Sequence, residues 1–240
     1  GRRKRGRLEV GGRGPGISQI NGDLVYSNRR VTFDPKRAQI NGVSVANSRL
    51  IIDGFEQANP MVQITGQTTS SLANLLDYVR SSPLDITTRG VVGRMSGDGT
   101  AVLKLSLVKP LKAKSKVSVS GALKAVGSTF TLNDKTPAFN NFDIELQFTE
   151  RNVEIVSGTA QILGGVATFH SQESERGLGE VKFDVTNSVN DVMSYLGLEF
   201  ARDHVDGMVA SSGSLRIDTN RLNIGFVSDL IDVKSSLPQP

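Results

Sequence analysis

The sequence predicts a mainly β protein with a few short α-helices, an elongated antiparallel sheet built from repeated strand-meander plus helix units. Three observations predict it. Apolar residues recur at alternate positions after Ile17, Gly, Asn, Asp and Pro separate the runs, and one stretch switches to the three-and-four spacing of a helix. The composition agrees, because an apolar fraction of 38% is carried by Val, Ile and Leu with ten Phe and no Trp.

The chain opens on a basic, Gly-rich leader, residues 1–16. Arg2, Arg3, Lys4, Arg5, Arg7 and Arg13 face only Glu9 there, so the net charge of +4 belongs to the leader and the body is near neutral. The leader reads as a solvated linker, with a polyanion- or headgroup-binding arm as the alternative. No aromatic residues are interleaved, and no nucleic-acid partner is expected.

A first unit follows over residues 17–137. Leu24 and Tyr26 alternate with polar or smaller neighbours, Asn28 and two arginines turn the chain, and Val31 and Phe33 return it as a hairpin. Ile40 to Val45, Leu50 to Ile52 and Val62 to Thr65 continue the meander. Leu72, Leu75, Leu76 and Val79 then mark one helix face, with Thr68, Thr69 or Ser70 as its cap and Ser81-Ser82-Pro83 as its end. Beyond it, Ala101, Leu103, Leu105 and Leu107 share a strand face opposite Lys104 and Ser106, and Val117 and Val119 alternate with serines.

A second unit spans residues 138–240. Phe142, Ile144, Leu146 and Phe148 alternate with Asp143, Glu145 and Gln147, which reads as a half-buried strand. One constant offset aligns Leu24 with Leu146, Tyr26 with Phe148, Arg29 with Arg151, Val31 with Val153 and Ala38-Gln39-Ile40 with Ala160-Gln161-Ile162. A slightly shorter offset aligns the helix face Leu72, Leu75, Leu76, Tyr78, Val79 with Val189, Val192, Met193, Tyr195, Leu196. A partial third hairpin runs from Ser214 to Ile217 and back through Leu222, Ile224 and Phe226. Such repeats bury their faces against neighbours and give elongated, open-ended structures.

Chemistry-bearing residues are sparse. With no Cys there is no disulfide, thiolate or Cys-ligated metal. His170 and His204 lack the spacing of a metal or nucleophile pair, and Asp203, His204 and Asp206 read as a surface turn. Gly90, Gly93, Gly97 and Gly99 precede a strand pattern with no following lysine of a phosphate loop, so they mark turns and bulges. No enzyme and no cofactor is expected, although a hydrolase site assembled from distant residues stays open. No run of apolar residues is long enough to span a bilayer.

Several segments together resemble a known family. They are Ile20-Asn21-Gly22-Asp23-Leu24-Val25-Tyr26, Ala38-Gln39-Ile40-Asn41-Gly42, Leu72 to Val79 running into Ser81-Ser82-Pro83-Leu84, and Gly97-Asp98-Gly99-Thr100 to Leu105 ending in Pro110-Leu111. With Ser228-Asp229-Leu230 and Leu237-Pro238-Gln239-Pro240, the order is similar to the central and later regions of YhdP-type proteins of the AsmA-like superfamily. One departure is Ile231-Asp232, where the family pattern leads one to expect a glycine after a Ser-Asp-Leu turn.

The resemblance implies a long, curled sheet forming an open apolar groove. It implies a periplasmic segment of a parent protein anchored by a helix outside this segment to the inner membrane of a Gram-negative bacterium. Its implied partners are phospholipid acyl chains, carried between the inner and outer membranes. An acyl chain costs about 0.8 kcal/mol per methylene exposed to water, so it needs an unbroken apolar lining. The expected lining is Leu103, Leu105, Leu107, Ile144, Leu146, Phe148, Val153, Ile155, Leu215, Ile217, Leu222 and Ile224. The same residues suit an ordinary closed core. The alternative function is an envelope scaffold that pairs client strands at its sheet edges, as proposed for TamB-like proteins.

Overall fold

The computed structural model describes residues 2–6, 17–40, 43–80, 91–111, 117–202, 204–218 and 221–236. In chain order these form β1 (Arg2–Gly6), β2 (Ile17–Ser27), β3 (Arg30–Ile40), β4 (Val43–Asp53), β5 (Met61–Ser71) and α1 (Leu72–Arg80). A 3-10 turn at Val91–Arg94 precedes β6 (Ser96–Asp98), β7 (Thr100–Pro110), β8 (Ser118–Thr131), β9 (Phe139–Thr149) and β10 (Asn152–Ile162). Then come β11 (Gly165–Ser171), β12 (Gly177–Leu178), β13 (Val181–Ser188), α2 (Val189–Tyr195), α3 (Glu199–Arg202), β14 (Val205–Asp218) and β15 (Arg221–Ser235).

The protein is mainly β, as the alternation predicts. Strand order follows the chain, β1-β2-β3-β4-β5-β7-β8-β9-β10-β11-β13-β14-β15, in an antiparallel sheet that is not closed. Off this path β6 pairs with β8, and β12 pairs parallel with β10. By internal contacts the chain divides into two units, one of Gly1–Ser70, Ala101–Leu123 and Phe148–Glu150, the other of Ser71–Thr100, Lys124–Gln147 and Arg151–Pro240. The repeat is a relation of sequence and these units are one of contacts; the two divide the chain differently.

In the first unit, Asn28 and Arg29 both take positive φ, 50° and 61°, in a two-residue turn between the paired Ser27 and Arg30. That is the hairpin turn whose twist matches the strands it joins. The register then sets Leu24 opposite Phe33, Phe33 opposite Leu50 and Leu50 opposite Ile64. A second row holds Tyr26, Val31, Ile52 and Val62. Directly opposed residues share a face, so these rows form one apolar surface with Phe33 buried in it. The other face is mixed, with Val25 and Ile51 in one row with Thr32 and Gln63, and Arg49 Nε 2.7 Å from Asp34 Oδ1. One expectation changes here: Arg2–Gly6 of the basic leader form β1, paired along Gly22–Tyr26, instead of linker.

In the second unit, α1 buries Leu72 and Leu75 and packs on β6. Its cap is Ser71, whose Oγ accepts the Asn74 amide at 3.2 Å, and not Thr68, Thr69 or Ser70, because β5 runs on through Ser71. The helix α2 begins in the same way, with Ser188 Oγ accepting the Asn190 amide at 3.2 Å and Val189 buried beside it. The expected helix end at Ser81-Ser82-Pro83, and with it Gly90, Asp203 and Leu237 to Pro240, lies outside the described residues.

The Ser228-Asp229-Leu230 segment, expected as a turn, continues inside β15. Just beyond it Asp232 takes a φ of 50°, near a register shift between Asp206 and Met208 on β14. The chain thus kinks with an aspartate in the left-handed conformation that glycine adopts most readily.

Candidate functional site

Strand β11 alternates without interruption. Gly165, Ala167, Phe169 and Ser171 are buried while Val166, Thr168 and His170 are exposed. The neighbouring registers extend each buried position into a row across the second unit. Phe169 stands opposite Gly158 and Phe183, Phe183 opposite Gly213, and Gly213 opposite Phe226. Beside this row lies Ser171, Val181, Leu215 and Ile224; on its other flank lies Ala160, Ala167, Val185, Ser211 and Ser228. One face of β10, β11, β13, β14 and β15 is therefore largely apolar, interrupted by Ser171, Ser211 and Ser228.

Glycines in these rows have a packing role. A Cβ on Gly158 would overlap the Phe169 ring, and one on Gly213 would stand 2.7 Å from Phe183 Cζ. Each bare backbone lets an aromatic ring lie across the neighbouring strand. The first unit repeats the device, with the Phe148 ring lying over Gly121.

The freedom at Gly158 brings Phe169 to Phe142. Their rings stack at 5.7 Å and 13°, and Phe142 stacks in turn on Phe130 at 4.9 Å and 15°. Phe139 meets all three edge-on. Phe142, Ala160, Phe169 and Val181 form the buried cluster, with Ile144, Ile155, Phe183 and Leu215 packed against it. Exposure then rises along the rows. Phe169 is 9% exposed, whereas Phe226 on the last strand is 65% exposed and Leu230 68%.

The expected lining residues fall into several situations. Leu103, Leu105 and Leu107 are half-buried on β7, and Phe148 is buried. Leu146 and Val153 are half-buried, while Ile144, Ile155 and Leu215 pack against the phenylalanine cluster. Ile224 is exposed on β15. Ile217 and Leu222 pair in register between β14 and β15, and their side chains lie outside the described residues. The residues missed are Phe130, Phe139, Phe169, Phe183, Phe226 and Leu230. The signal in β11 was weak because only Phe169 among its buried positions, Gly165, Ala167, Phe169 and Ser171, is strongly hydrophobic, while the apolar Val166 is exposed.

The opposite face of the second unit is polar. Asp184 accepts from Ser212 Oγ at 2.6 Å, and Glu180 holds Arg216 at 3.0 Å and Lys182 at 3.2 Å. Hydrogen bonds from Arg216, then Ser214 and Lys182, lower the Glu180 carboxyl to about 2. His170 is exposed on this face, and His204 Nδ1 lies 3.3 Å from Ser236 Oγ near the start of β14. Among the described residues no group of three or more His, Asp or Glu is placed to hold a metal ion. No helix among them is long and apolar enough to cross a membrane.

The arrangement offers an apolar surface and no assembled reactive group among the described residues. No curated protein and no solved structure matches the chain. Residues 15–240 match the family described as YhdP protein, and the chain belongs to that family.

Proposed function

We propose that this chain is a segment of a bridge-like lipid transfer protein that moves phospholipids between the inner and outer membranes, its apolar sheet faces shielding acyl chains in an open groove. The family is one of bacterial envelope proteins. On this reading the segment is periplasmic, its parent is anchored to the inner membrane outside this segment, and it performs no catalysis. The observation that carries the proposal is the one-sided chemistry of the second unit: largely apolar rows across five strands on one face, Asp, Glu, Lys and Ser on the other. Transport needs many weak and equivalent apolar contacts, because one tight site would stall the cargo.

The direct test is mass spectrometry of an organic extract of the purified chain, together with photoreactive groups at Leu105 and Leu146. Copurifying phospholipid with lipid adducts at these positions supports the proposal. A folded chain that yields neither removes it.

A second reading has its own observation. Strand β15, 15 residues long and last in the strand order of the described residues, exposes Phe226 and Leu230 on one face and Val227 on the other. Long apolar edges are templates for strand addition, so a client strand could pair there, as in a TamB-like scaffold. Copurification of an unfolded barrel protein without lipid would favour this scaffold.

A further inference from the structure

We propose that, within the second unit, α2 is a strap that fixes the bend of the sheet from β8 to β13, hinged where it leaves β13 and latched at its far end by the Tyr195 hydroxyl. The proposal concerns the sheet itself and is independent of what its apolar face carries.

The first argument is the path. Strand β13 ends at Ser188 and α2 begins at once, yet its last residue, Tyr195, donates its hydroxyl at 2.9 Å to the carbonyl of Lys135, between β8 and β9. In the strand order β8-β9-β10-β11-β13 the helix has come back past the ends of β11 and β10. It meets their turn on the way. Asp191 Oδ2 stands 2.7 Å from where a Cβ on Gly164 would be, and Asn187, just before the helix, donates to the Ile162 and Leu163 carbonyls at 2.6 and 2.9 Å. The strands so tied include β8, β9 and β11, which supply Phe130, Phe142 and Phe169 to the ring stack.

The second argument is length. Three to four interstrand steps of about 4.8 Å, or roughly 14–19 Å, separate β13 from the β8–β9 connection. The 7 residues of α2 supply about 10 Å, and the Tyr195 side chain reaches the rest. The strap has little slack, so spreading of these strand ends would draw the hydroxyl off its carbonyl.

The third argument is the contrast between the two ends. At the hinge Ser188 caps the helix, Val189 and Asn187 are buried, and the helix packs on β13 and β14. At the latch Tyr195 is 48% exposed and Leu196 61%. The receiving segment is itself braced: Asn133 Oδ1 accepts the Lys135 amide at 2.8 Å, and Thr136 Oγ1 accepts the Asn133 amide at 3.2 Å. One exposed hydrogen bond shifts an equilibrium only roughly two- to tenfold. A fixed inner end and a weakly held outer end make a latch that opens and closes.

The chain has no cysteine, so paired cysteines take spin labels without background. In the full chain, Asp134→Cys with Leu196→Cys reads the latch, and Val126→Cys with His170→Cys reads the sheet from β8 to β11; all four positions are exposed. Distances are measured by double electron-electron resonance with Tyr195 in place and with Tyr195→Phe, thermal melting confirming that each version folds. We expect Tyr195→Phe to raise the population of longer distances at the latch pair roughly two- to tenfold, and the distribution at the sheet pair to broaden with it. Asn133→Ala removes the brace and leaves the helix intact; it should do the same, and it carries the test if the phenylalanine variant does not fold. Unchanged distances at both pairs would overturn the strap. Longer latch distances over an unchanged sheet pair would show that the hydroxyl joins two surface segments without setting the bend, and would overturn it as well. So would a broadened sheet pair over an unchanged latch.

Discussion

The Phe169 ring lies across Gly158 on the adjacent strand, and through that gap it reaches the face of Phe142 two strands from its own. A glycine in the middle of a strand ordinarily weakens it. Here the missing side chain is replaced by a neighbour's ring, and the replacement assembles the most buried aromatic group of the second unit. The substitution Gly158→Ala should displace Phe169 and break the stack, destabilising the chain by about 1–3 kcal/mol. Urea unfolding followed by circular dichroism measures it, and an unchanged midpoint would mean that the ring moves aside at no cost.

Phe226 should behave in the opposite way. Because most of its surface is in water, Phe226→Ser should change stability by less than about 0.5 kcal/mol. Its effect should appear instead in lipid recovered per mole of purified protein, which should fall. A stability loss comparable with that of Gly158→Ala would place Phe226 in the core.

The Glu180 carboxyl gives a pH signature. Its value falls from 4.5 to about 2 on folding, first through the hydrogen bond from Arg216 and then through Ser214 and Lys182. A depressed acid contributes stability that is present above its unfolded value and lost as pH falls through the folded one. The urea midpoint of the native chain should therefore exceed that of Glu180→Gln at pH 7, with the gap narrowing from pH 4.5 down to about 2. A gap that does not vary with pH would show that the Arg216 contact does not depend on the charge.

Asp232 occupies backbone space that a side chain resists. Its φ of 50° favours glycine, so Asp232→Gly should raise stability by about 0.5–1 kcal/mol, the relief of strain exceeding the added freedom of the unfolded chain. A destabilised variant would mean that the aspartate side chain holds the bulge.

The strands and hairpins were legible because alternation and turn chemistry are local. Phe142 to Phe148 could be read directly, as could the turn at Asn28 and Arg29. Other features depend on partners that sequence spacing does not name. Ile155 and Ala160 pack against one cluster although they differ in strand parity, since the alternation slips before Gly158, where pairing with β11 begins. The Ile155 amide goes to the Ser171 hydroxyl at that point. Ring stacking across Gly158 was equally hidden, because it joins three strands and depends on what one residue lacks. The helix cap shifted to Ser71 for a related reason, as β5 keeps pairing to its last residue.

Strand order following chain order carries a kinetic consequence. Along the main path each strand pairs with its predecessor on that path, most of them across a short connection and β5 with β7 and β13 with β14 across helical segments, so closing most pairings costs little loop entropy. A sheet wired in this way can be built in one direction as the polypeptide emerges. Each partial product ends in an unpaired strand for the next to cover, and no early segment has to wait for a distant one.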